Sequence, residues 1–253
     1  MKKREIVIIS ILTIVLAFMD ISGMPSALFV NIKVLDINPI YFTLMINFIF
    51  IGIIAFFTLK YLCPNWKLGF NKTGIISGLR KYGIVGIIVG LITGIAFYIG
   101  LKFDAHPSFW KILIEGIIYY IGVAIVEELY VRGLLLNLIE KISYKSKYST
   151  LIGIIVSSVI FGIGHIFGVL GEPILIIITK VVWTIAMGMY FGAIYKKTNN
   201  LWILILLHFI INICALPYCF TTNTSYPIIS LYIILPVYLL LGVYSIYIIR
   251  KGK

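Results

Sequence analysis

The stretch Ile112–Ile139, ILIEGIIYYIGVAIVEELYVRGLLLNLI, decides how the chain is read. It is long enough to cross a bilayer, since about 20 mainly apolar residues span the hydrocarbon as a helix. Yet near its middle stands VEELYVRG, Val126–Gly133, with two glutamates and an arginine. A mid-helix Glu or Arg costs about 2.5–3.5 kcal/mol to insert, so the three cost roughly 8–10 kcal/mol. Some 20 Leu, Ile or Val residues return only about 6–12 kcal/mol on the same scale. The span therefore holds only if its charges pair or face water, and ionisable groups at this depth are functional by default.

Helical geometry divides the three charges. Glu128 and Arg132 are four residues apart, so they share a face about 40° wide, with Glu in the favourable N-terminal position. Glu127 points about 100° away from Glu128 and has no local counter-ion. The pair reads as structural, and Glu127 reads as free to act as a general base. A buried ion-pair cluster that only locks helices together is the competing explanation of the same stretch.

The rest of the chain places this helix in a bundle. The 253 residues are 61% hydrophobic and 12% charged, against about a quarter charged in soluble domains, and the mean hydropathy is +1.10. The fold class expected is all-α, a polytopic membrane helix bundle without a soluble domain. Eight spans are expected, over about 5–24, 40–59, 83–101, 112–139, 149–168, 173–195, 201–217 and 227–249. Lys2, Lys3 and Arg4 before an apolar run resemble a secretory signal, but the "GMPSA" that follows carries Pro25 where a cleavage site needs small residues. The first span is read as retained. No internal repeat is visible.

The net charge of +12 is a topological signal rather than a nucleic-acid footprint. With the N-terminus in the cytoplasm and the spans alternating, sixteen Lys and Arg fall inside and only Lys33, Lys102 and Lys111 fall outside. Both termini are therefore expected in the cytoplasm, with membrane lipid as electrostatic partner and no nucleic acid. The richness in Ile and Lys suggests a bacterial cytoplasmic membrane. Cys63, Cys214 and Cys219 are odd in number and lack zinc-ligand spacing.

Two further spans carry polar groups at helical spacing. VIFGIGHIFG, Val159–Gly168, has Phe161 four residues before His165, and LHFIINIC, Leu207–Cys214, has His208 four residues before Asn212. Each pair lies on one helix face. Singly, each is explained by packing or an interhelical hydrogen bond. Together a carboxylate, two imidazoles and a carboxamide supply the parts of a hydrolytic site. At 1.5 Å per residue from the cytoplasmic ends, Glu127 and His165 lie roughly 20 and 24 Å deep, and His208 and Asn212 roughly 12 and 18 Å deep. One mid-membrane cluster is compatible with these depths. The glycines at 86, 90 and 94, and at 188 and 192, recur every four residues and read as close helix packing.

In this order and on separate spans, EELYVR, FGIGH and HFIIN resemble the EExxxR, FxxxH and HxxxN motifs of the CAAX-protease and bacteriocin-processing (CPBP, or Abi) intramembrane proteases, relatives of the type II CAAX prenyl endopeptidases. The resemblance covers about residues 110–216 and implies an intramembrane endopeptidase, a CPBP-type metallopeptidase in the family's usual description. It divides the chain into N-terminal helices over 1–110, a protease core over 111–217 and a C-terminal helix over 218–253. By position it makes Glu127 the base that activates water, with His165 helping to hold the water or a metal. His208 and Asn212 then stabilise the oxyanion or complete a ligand set, and Glu128 and Arg132 brace the first motif.

Two forms of the chemistry stay open. Glu127, His165 and His208 are a permissive set for Zn2+. Without metal, Glu127 and His165 polarise water while His208 and Asn212 donate to the oxyanion. The substrate implied is a membrane-anchored or lipidated peptide. A non-catalytic membrane immunity or binding protein, or a transporter, would use the same polar residues differently. Asp20 and Lys180 also lie within spans, with no role beyond pairing or snorkelling.

Overall fold

The structure is a computed structural model that describes residues 3–22, 39–100, 108–216 and 228–251. Lys2, Lys33, Lys102, His106, Cys219, Asn223 and Lys253 lie outside the described residues. Eight helices run through the described parts: α1 (Lys3–Ser22), α2 (Pro39–Leu62), α3 (Ile75–Gly100), α4 (Phe109–Ile142), α5 (Ser149–Val169), α6 (Ile174–Thr198), α7 (Leu201–Cys214) and α8 (Ile228–Arg250). No strand occurs among the described residues. The fold is the all-α polytopic bundle expected, and the eight helices match the eight apolar runs.

Six of them, α2 to α6 and α8, are long and apolar enough to cross a membrane. The shorter α7 has 14 residues, about 21 Å of helix against some 30 Å of hydrocarbon. The outside of the bundle is apolar, with Phe50, Ile53, Ile54, Ile88, Leu91, Ile95, Leu240 and Val243 exposed, while Glu127, Glu128, Arg132 and His208 are buried. Apolar residues outside and ionisable ones inside are the arrangement a lipid solvent selects. The chain is a multi-pass membrane protein.

Two helices run past the boundaries that hydropathy suggests. α3 begins at Ile75 rather than near 83, because a π-helical turn over Leu79–Gly83 carries the helix through Arg80 and Lys81. α4 is one continuous helix whose middle, Leu129–Leu136, is π-helical and begins directly after Glu128. Its displaced carbonyls are satisfied from the side. Asn137 Nδ2 donates to the carbonyls of Arg132 and Gly133 at 3.1 Å each, and Trp66 Nε1 donates to Gly133 at 3.0 Å.

Glycines set the closest approaches. A Cβ on Gly94 of α3 would stand 2.3 Å from the Cys214 carbonyl oxygen, and one on Gly188 of α6 would stand 2.9 Å from Ser158 Cβ. Between α6 and α7 only Asn199 and Asn200 intervene. Asn199 takes φ +46° to end α6, and Asn200 caps α7 by accepting from the Trp202 amide at 3.1 Å. This turn aims α7, with its histidine, into the bundle beside α4.

Candidate active site

The buried charges of the first motif are arranged around Arg132. Arg132 Nη1 donates to Glu128 Oε1 at 2.8 Å, and both side chains are inaccessible to solvent. The guanidinium lies between the rings of Phe161 and Phe191, 4.9 and 5.2 Å from their centroids, and Nη2 reaches the Gly188 carbonyl at 3.4 Å. One arginine thus ties α4 to α5 and α6 by charge, cation–π and hydrogen-bond contacts. Phe161 also packs its ring edge-on against His165, with the centroids 4.6 Å apart.

Glu128 does more than the spacing foretells. The same Oε1 also binds His208 Nδ1 at 2.7 Å across to α7. An ionised carboxylate only accepts, so Nδ1 carries the proton and Nε2 turns toward Glu127. The His208 Nε2 to Glu127 Oε2 distance is 3.6 Å, too long for a hydrogen bond. Glu127 Oε2 is buried with no hydrogen-bond partner. His165 is held in a similar way, its Nδ1 lying 2.9 Å from the Phe161 carbonyl oxygen. A carbonyl can only accept, so Nδ1 donates and the lone pair of Nε2 remains for the site.

Glu127, His165, His208 and Asn212 all line one cavity of about 280 Å³ inside the bundle, and Glu128 and Arg132 stand outside it. The three motif helices therefore bring the four sequence candidates together. Helices beyond the motifs close the walls, with Thr93 and Phe97 from α3 and Tyr238 from α8.

A second chamber of about 440 Å³ lies on the side of α1 and α2, and it shares Tyr119, Val123, Glu127, His165 and Lys180 with the first. Asp20 lines it, bonded through its side chain to Tyr130. Lys180, whose ammonium sits 4.9 Å from the Trp183 ring centroid, faces both chambers. Sequence reasoning left these two charges unassigned. The one signal they offered was their depth in apolar spans, since which way each faces depends on how α1 and α6 rotate against α4.

The donor set bears on a metal. Two imidazoles with Nδ1 occupied and a carboxylate with an unpartnered oxygen have the chemistry of zinc ligands. As placed, however, no group of three His, Cys, Asp or Glu among the described residues can hold an ion.

No curated protein matches the chain. Residues 109–214 match the family model described as type II CAAX prenyl endopeptidase Rce1-like. That segment is α4 to α7, and three of these helices, α4, α5 and α7, carry Glu127, Glu128, Arg132, His165, His208 and Asn212. The likeness to the type II CAAX prenyl endopeptidase Rce1-like family thus extends over residues 109–214 of the 253-residue chain.

Proposed function

We propose that the chain is an intramembrane endopeptidase that hydrolyses a peptide bond in a membrane-anchored or lipidated peptide or protein. The observation that carries this reading is the convergence of Glu127, His165, His208 and Asn212, from α4, α5 and α7, on one buried cavity. The family's name points to prenylated C-terminal tails as the substrate class. A site enclosed by membrane helices suits a scissile bond held close to a lipid anchor. The catalytic core is residues 111–217, flanked by helices over 1–110 and 218–253, of which α3 and α8 wall the cavity.

The protonation pattern supports a division of labour. Water placed between Glu127 and His165 donates one O–H to Glu127 Oε2 and the other to His165 Nε2, leaving an oxygen lone pair for the carbonyl carbon. As the C–O bond forms, Glu127 takes the proton. The oxyanion is met by the Asn212 amide and by His208, which for this role enters the cycle protonated on Nε2 as well, with its Nδ1 proton held by Glu128, and leaves it unchanged. Collapse breaks the C–N bond while Glu127 passes its proton to the departing nitrogen. One water is consumed, and an acid and an amine are released.

Zinc is the second reading, favoured by the lone pairs that both histidines and Glu127 turn to the cavity. These three residues would be its ligands, and the ion would polarise water and carbonyl.

The test is cleavage of a pool of membrane-anchored lipidated peptides in liposomes, comparing wild type with Glu127→Gln, with and without chelator. Glu127→Gln is expected to lower turnover by about 10²–10⁴-fold while the protein still folds. A wild-type rate in that variant would sink the assignment. A rate unmoved by chelator supports the metal-free steps, and loss restored by added zinc replaces them. No cleavage by folded wild type across a broad pool would favour a non-catalytic binding protein.

A further inference from the structure

Glu128 and Glu140 lie twelve residues apart on α4. In an unbroken α-helix they would point about 120° apart, at about 100° per residue. In the structure both face α5 and α6. Glu128 bonds Arg132, whose guanidinium sits between Phe161 of α5 and Phe191 of α6. Glu140 accepts from Thr150 of α5 at 2.5 Å and pairs with the Lys196 ammonium of α6. The π-helical stretch Leu129–Leu136 lies between the two glutamates. Its i→i+5 bonds take up one residue more than the α form, which removes about 100° from the angle. About 20° then separates Glu128 from Glu140, and one face of α4 meets α5 and α6 along both halves.

The stretch is held open from its C-terminal side. Asn137 Nδ2 lies 3.1 Å from the carbonyls of Arg132 and Gly133, which the π turn frees, and 2.9 Å from Tyr195 Oη. Its Oδ1 accepts from Lys196 Nζ at 2.8 Å, the same ammonium that pairs with Glu140. Tyr195 is buried, and its Oη donates to the Leu68 carbonyl at 3.1 Å. Asn137 thus joins the freed carbonyls of α4 to two side chains of α6.

We propose that Asn137 is a positioning residue of the hydrolytic site: by holding the π-helical stretch open, it sets the angle at which α4 presents Glu127 to the cavity and Glu128 to His208. The inference rests on the hydrolytic reading of that site. If the stretch closes to α-helix while Glu140 stays paired, the site end of α4 turns by about 100°. Leu129 then takes the direction of Glu128, and Glu128 that of Glu127. The carboxylate that holds His208 Nδ1 is turned away from it.

The experiment uses removal of one residue as the rescue. Leu135 is the one half-buried residue of the stretch. A chain lacking it closes α4 as α-helix with the same angle of about 20° between Glu128 and Glu140, and leaves Asn137 no freed carbonyls to meet. In the cleavage assay, Asn137→Leu and Asn137→Asp should each lower kcat by about 10–100-fold with KM within about twofold. Aspartate keeps an acceptor for Lys196 but cannot donate to the carbonyls, so a role confined to the ion pair would spare it. The shorter chain should itself keep kcat within about tenfold of wild type. In that chain the same two substitutions should change kcat by less than about threefold. Wild-type kcat in either substitution, an equal loss in both chain lengths, or a folded shorter chain that has lost cleavage overturns the proposal.

Thermal unfolding in detergent repeats the cycle without substrate. Asn137→Leu should lower the Tm of the full-length chain by at least about 2–4 °C, and that of the shorter chain by less than about half as much. The same shift in both lengths, or a chain lacking Leu135 that does not fold, overturns the assigned register. Wild type against Glu127→Gln in the cleavage assay decides the protease reading separately, so the melts judge Asn137 even if nothing is cleaved.

Discussion

Glu128 shows how one carboxylate can serve stability and orientation together. Its Oε1 accepts from Arg132 and from His208 Nδ1, so truncating it leaves a buried guanidinium unpaired and an imidazole unheld. Glu128→Leu alone is expected to destabilise by about 3–5 kcal/mol, the usual cost of stranding a buried charge. Replacing both partners by apolar residues, Glu128→Leu with Arg132→Met, should recover most of that stability. It should not recover activity, because His208 still lacks the acceptor that sets its tautomer. Melting curves and cleavage rates on the same samples separate the two roles. An active double variant would show that Glu128 is a brace only. The brace was legible in the sequence, because Glu128 and Arg132 are four apart on one helix. The hold on His208 was not, because it joins residues 80 apart and depends on how α7 meets α4.

At the level of helices, apolar runs give the number of elements and small residues give their closest contacts. Gly94 lies where α3 meets the end of α7, and an added Cβ would face a backbone carbonyl at 2.3 Å. Backbone cannot rotate aside as a side chain can, so α7 must shift. Gly94→Ala should cost about 1–3 kcal/mol or more, as overpacking does. It should also lower turnover, since α7 carries His208 and Asn212. Gly164→Ala is the control, because its Cβ would meet only Ile21, at 3.6 Å from Cδ1 and 3.9 Å from Cγ1, both ordinary contacts. Equal effects from the two substitutions would refute the argument. What residue type does not reveal is hydrogen-bond register. The π-helical segment Leu129–Leu136 is half leucine, a good helix former in any register, with Gly133 its weak point, and its freed carbonyls are met by Asn137 next to it and by the distant Trp66. π-helical turns are frequent at functional sites, and this one begins at the residue after Glu128.

On the scale of the whole molecule, the motif helices do not make the cavity alone. α4, α5 and α7 supply the four candidate residues, but Thr93, Phe97 and Tyr238 come from α3 and α8, and Tyr238 is hydrogen-bonded to Thr93. The sequence pointed to the chemistry because polar residues are rare and costly in apolar spans. It was silent on the outer walls because their aromatic and aliphatic side chains look the same whether they face lipid or the site. Lipid also supplies no hydrophobic drive between helices, so the bundle is held by close packing and polar contacts. α8 packs along both α6 and α3. A chain ended after residue 227 should therefore still insert but lose the wall that Tyr238 provides. Its cleavage rate is expected to fall by at least about 100-fold, as misplacing a substrate by an ångström can do. Supplying α8 as a separate co-expressed helix should restore part of that rate, because packing rather than covalent continuity holds it in place. A truncated chain that cleaves at the full rate would mean that α4 to α7 form a sufficient site.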